Sequence, residues 1–107
     1  METLIKLQAK GIPITEESLE LVIKKYGIKE LAVFGSSLRD DFNSDSDIDF
    51  LIEFEHSERI SLFDLMDIQC YLESITKRSV DLVEPKSLSN PYRRDAILSS
   101  KEVLYAT

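Results

Sequence analysis

The chain has 107 residues, 43% of them apolar and 31% charged, with a formal net charge of −7 from 13 basic and 20 acidic residues. That length suits one domain, taken as residues 1–107, with a modest core, and the composition is that of a folded soluble protein. It excludes a broad grip on long DNA or RNA, a membrane-spanning apolar run, and, with Cys70 the single cysteine, an internal disulfide.

The first residues, Met1 to Lys6, lack the basic region, apolar stretch and cleavage site of a signal peptide, so a cytoplasmic protein is expected. A helix is predicted over 16–26. Thr15 can cap it, Glu16 and Glu17 suit its positive end, Lys24 and Lys25 its negative end, and Gly27 can end it. Leu19, Val22, Ile23 and Tyr26 make its apolar stripe. Leu31 to Phe34 reads as a short buried strand running into Gly35, and 36–40 as a short helical turn.

Asp47 to Phe54 alternates cleanly. Ile48, Phe50, Ile52 and Phe54 are expected in the core, with Asp47, Asp49, Leu51 and Glu53 facing the other way. A helix follows over 62–76, with Ser61 and Asp64 at capping-box spacing and Leu65, Ile68, Leu72 and Ile75 as its stripe. Cys70 falls in this helix and is expected as a small core residue. Val80 to Val83 is a third strand, stopped by Pro85. Asn90 and Pro91 open a helix to about Ser99, and 103–105 can form a last short strand. The expected class is α/β (α+β): a small mixed sheet packed by helices. The first two strands pair antiparallel, and the third joins through a helix.

Three aspartates stand in strands among apolar neighbours: Asp47, Asp49 and Asp81. Aspartate is a poor strand residue, and near a core its charge is costly unless paired or metal-bound. Asp47 and Asp49, two residues apart, share a strand face. If the third strand lies beside the second, all three can converge on a hard cation such as Mg²⁺. Two such ions would clamp the oxygens of an in-line displacement at phosphorus, and Asp81 could accept the proton of the attacking hydroxyl. The Gly35-Ser36 turn can offer backbone N–H groups to phosphate. Asp45-x-Asp47-x-Asp49 also starts like a calcium loop. That loop needs Gly at the sixth position and Glu at the twelfth, where this chain has Phe50 and His56.

The run Gly35-Ser36-Ser37-Leu38-Arg39-Asp40-Asp41-Phe42-Asn43-Ser44-Asp45-Ser46-Asp47-Ile48-Asp49 resembles the signature of the minimal nucleotidyltransferases of the polymerase-beta-like superfamily. That pattern is Gly-Ser, ten residues, then Asp-x-Asp. Gly35, Ser36, Arg39, Asp41, Ser46, Asp47, Ile48 and Asp49 match it, and Val80-Asp81-Leu82-Val83 looks like the later strand with the third carboxylate. The resemblance implies that Gly35 and Ser36 bind nucleotide phosphates, with Arg39 at phosphate or anchoring the loop. It implies that Asp47, Asp49 and Asp81 hold magnesium, with Asp81 also the base. Leu38 and Asp40 depart from the pattern, which often has a small residue and Gly there; a carboxylate at 40 facing the triphosphate would weaken its binding.

The resemblance further implies transfer of AMP from ATP, with pyrophosphate released. Small stand-alone members are typically antitoxins of HEPN ribonuclease toxins, and AMP placed on a toxin tyrosine blocks the toxin. A homo- or hetero-oligomer is compatible with that role. Two alternatives stay open at the level of sequence: an antitoxin acting by complex formation alone, and nucleotidyl transfer to a small molecule, which usually needs a second domain.

Overall fold

The computed structural model describes residues 2–35 and 47–107. The first element is helix α1 (Glu2–Ala9), which no expected element covers. Leu4 and Leu7 are its buried residues and Ile5 is 63% exposed, so its buried stripe is only two positions long. Helix α2 (Glu16–Tyr26) starts at Thr15, whose side chain accepts from the Ser18 N–H while Ser18 reaches back to the Thr15 N–H. Gly27 ends it at φ 65. In that left-handed region the absent Cβ removes a steric cost.

Strand β1 (Ile28–Phe34) begins three residues before the expected start and pairs antiparallel with β2 (Ile48–Phe54). Helix α3 (Leu62–Thr76) carries the Ser61–Asp64 capping box in both directions. It crosses over to β3 (Val80–Val83), which runs parallel to β2. Helix α4 (Pro91–Ser100) is capped by the Asn90 side chain, and β4 (Glu102–Ala106) returns antiparallel to β1. The sheet order is β3-β2-β1-β4, so the expected mixed sheet is the one found. The helical turn expected at 36–40 lies outside the described residues.

The sheet has two unequal covered faces. On the larger, Leu31, Val33, Ile48, Phe50, Ile52 and Val80 pack with residues of α1, α2 and α3. The Tyr71 hydroxyl donates to the Ser18 carbonyl at 2.7 Å and ties α3 to α2. On the smaller, Ala32, Phe34 and Leu51 pack with Leu88 and with Ile97 of α4. Leu51, placed by alternation on the side away from the core, is therefore buried by a second core. Cys70 corrects the other way: it is exposed, not a core residue. It lies between Ile68 and Leu72 in sequence, and at 3.6 residues per turn it falls on the opposite side of α3 from both.

Helix α3 ends at Lys77, which takes φ 60, a left-handed conformation that suits glycine. A non-glycine residue there costs about 1–2 kcal/mol, part of which glycine gives back as unfolded-chain entropy. Lys77→Gly is expected to stabilise the fold by roughly 1 kcal/mol, read as a rise of about 4–8 °C in Tm on thermal unfolding. An unchanged or lower Tm would contradict this account of the cap.

Candidate active site

Strand pairing brings the carboxylates together. In the parallel β2–β3 register Asp49 is the direct partner of Asp81, with Ile48 opposite Val80 and Phe50 opposite Leu82. Adjacent strands lie about 4.8 Å apart, and paired residues point to the same face. That face is the smaller one, because Leu51 and Val83, two residues further along each strand, both belong to its core. Asp49 is half-buried and Asp81 is exposed on the edge strand.

On the other side of Asp49 stands β1. Phe34 is its cross-strand partner, and Gly35 follows immediately. Gly35 adopts φ 72, and a Cβ built on it would run into the Asp49 carboxylate at Oδ2. Glycine is required there twice over: once for the left-handed backbone, and once because any side chain would displace the carboxylate. The motif alone implies a phosphate-binding role for Gly35. The structure adds that its bare α-carbon is what gives Asp49 room. Phe34, 7% exposed, supplies an apolar neighbour on the same face.

Asp47 precedes β2 and is exposed. The backbone beside it is fixed by the Ile48 N–H donating to the Ser79 carbonyl at 3.0 Å. This bond sets the turn 77–79 next to Asp47, so Lys77 and Arg78 stand at the same end of the sheet as the aspartates. Ser79 has no sequence signal for this role, because the bond uses only its backbone. Ser36, Arg39 and Asp40 lie outside the described residues.

Among the described residues no group of three or more His, Cys, Asp or Glu side chains is already gathered to hold a metal ion. The donor set the strands bring side by side is the pair Asp49 and Asp81. Two carboxylates fit Mg²⁺, which commonly takes one or two carboxylates plus waters and substrate phosphates rather than an all-protein cage. The chemistry available is therefore that of an acidic, hard-oxygen edge beside a glycine turn.

A model of the nucleotidyltransferase domain matches residues 16–104 of the chain. The chain belongs to the nucleotidyltransferase family. The matched stretch includes Gly35, Asp47, Asp49 and Asp81 and all four strands up to Leu104. The nucleotidyltransferase is 35% identical over 82 residues to the protein adenylyltransferase MntA of Thermococcus cleftensis, covering 77% of this chain and 78% of that one. It is 34% identical over 84 residues to a Methanocaldococcus jannaschii protein whose name proposes the same activity, covering 78% and 84%. A solved structure described as a proposed minimal nucleotidyltransferase superposes with TM-score 0.67 at 32% identity, over 81% of this chain and 85% of that one. A chain from a toxin–antitoxin crystal structure with AMP-PNP shares the fold at TM-score 0.68 and 19% identity, over 88% and 75%.

Proposed function

We propose that the chain transfers AMP from ATP to a hydroxyl of a partner protein, and that this partner is a HEPN ribonuclease toxin which the modification neutralises. The observation that carries the nucleotidyl-transfer chemistry is the register that sets Asp49 beside Asp81, with Gly35 against the Asp49 carboxylate. The protein acceptor is supported by the relatives named protein adenylyltransferases. The toxin is supported by solved toxin–antitoxin structures of MntA with HepT that share this fold.

In this reading Asp49 and Asp81, joined by Asp47, hold magnesium beside the triphosphate. Bound magnesium supplies positive charge to the phosphoryl oxygens as they gain charge. Gly35 and Ser36 offer backbone N–H groups to phosphate, and Arg39 serves the nucleotide as a phosphate contact or an anchor of the loop. The acceptor hydroxyl attacks the α-phosphorus, its proton passes to Asp81, and the bond from the α-phosphorus to the bridging oxygen breaks. Pyrophosphate leaves with that electron pair. None of the helices in the described residues is long and apolar enough to cross a membrane, and we place the reaction in the cytoplasm.

The test is incubation with ATP labelled in the α-phosphate, magnesium and the purified product of the neighbouring gene. The expected result is one labelled acceptor protein and release of pyrophosphate. Binding of the two proteins without label transfer would overturn the catalytic reading in favour of neutralisation by complex formation. Label appearing on a small molecule instead would overturn the protein acceptor.

A further inference from the structure

Three large apolar side chains stand in solvent at the start of α3. Leu62 is 71% exposed, Phe63 78% and Met66 54%. Their positions, i, i+1 and i+4, put them on adjoining parts of the helix surface, so they form a patch rather than scattered singles. Neither core includes them. The patch borders a cleft of ≈ 270 Å³ between α3 and β3, lined also by Leu65 and Leu82.

The sheet edge beneath this patch is blocked at Val80. β3 is an edge strand, and its outward backbone groups at Val80 are already used. The Val80 N–H donates to Glu73 Oε2 at 3.0 Å, and the Val80 carbonyl accepts from Gln69 Nε2 at 2.9 Å. A strand added along Val80 would have to displace both bonds, which favours an occupant that docks side chain to side chain. A second copy of the chain is disfavoured by charge. Each copy carries −7, and the charged side chain lining the cleft is the carboxylate of Glu84, with Lys86 3.4 Å from it. The complementary surface is apolar at its centre and basic at its rim.

The cleft also lies close to the aspartates. Leu82 points into it, whereas Asp81, its neighbour in β3, points to the opposite face. Because β3 is the edge, one strand's width separates the two. A protein held on the cleft can reach around the edge to Asp81 and Asp49.

The geometry points to this patch and cleft as the docking surface for the protein acceptor, taking an amphipathic helix with apolar residues along one face and Lys or Arg flanking them. The inference rests on the protein-acceptor reading above and deepens it.

The test compares the wild type with the Phe63→Gln plus Met66→Gln variant, and with Leu21→Gln, a control at another apolar residue, 68% exposed on α2. Calorimetry reads binding to the purified product of the neighbouring gene. The double variant is expected to raise Kd about tenfold or more, since exposed aromatic and methionine anchors dominate such interfaces. Label transfer should show a raised KM for the acceptor with kcat retained. Affinity for AMP-PNP, Tm and the Leu21→Gln control should stay at wild-type values, and added NaCl should weaken the wild-type complex. The inference is overturned if the double variant binds as the wild type does, or if the wild type does not bind the neighbour's product. It is also overturned if sedimentation shows a wild-type dimer that the double variant splits. A complex that forms, weakens in the double variant and yet carries no label would support the docking surface while removing the catalytic reading.

Discussion

Asp49→Asn is expected to lower nucleotidyl transfer by at least about 10³-fold, a loss of roughly 4 kcal/mol of transition-state stabilisation. Asn keeps the shape of Asp and removes its charge, so the residue still fits beside Asp81 and against Gly35. What disappears is the anionic oxygen of the half-buried member of the pair. Asn keeps the volume of Asp at this half-buried position, so the variant should still fold. Single-turnover label transfer together with thermal unfolding checks both halves. Asp81→Asn should behave alike in activity. If Asp49→Asn retains transfer while Asp81→Asn loses it, the metal belongs to another donor set and the pair is misread.

Gly35→Ala is the second large effect, and it separates site from scaffold. The added methyl group meets the Asp49 carboxylate, and the backbone at φ 72 is costly for alanine. The backbone term is about 1–2 kcal/mol of stability. The larger consequence falls on activity. A carboxylate pushed aside by about 1 Å can cost about 10²-fold in rate. Gly27→Ala is the control, because Gly27 has a similar φ of 65 and nothing within 4 Å of the position its Cβ would take. It should lose comparable stability and keep its rate. Equal rate losses in the two variants would mean that Gly35 matters only as a flexible residue. Initial rates of label transfer and urea unfolding of both proteins decide the matter.

The periodic parts of the chain were legible in the sequence. Helix α3 starts and stops where its capping box and apolar stripe place it, and the two faces of β2 alternate as expected although both are covered. The mixed sheet followed from connection lengths alone. What escaped was non-local. Leu51 is buried because α4, some forty residues later, covers the second face, and no pattern inside β2 announces that. Ile28 and Lys29 join β1 only through pairing with Phe54 and neighbouring residues across the sheet. Helix α1 buries two apolar residues, Leu4 and Leu7, too few to raise a periodic signal on their own.

The site was legible in the same uneven way. Asp47 and Asp49 stood out as charged residues in an apolar strand. Asp81 gained its meaning only from the parallel register that sets it beside Asp49. The tie between Gly35 and Asp49 could not be read, because a spacing of fourteen residues says nothing about which atoms touch.

The central strand β1 draws its two partners from very different distances along the chain. Phe34 meets Asp49 across a short connection, whereas Glu30 must wait for Ala106. Closing the longer loop costs more chain entropy, so β1, β2, α3 and β3 are expected to assemble first and β4 to dock afterwards. Gly35, Asp49 and Asp81 all fall inside the earlier unit. Mutations in β4 should therefore speed unfolding more than they slow refolding.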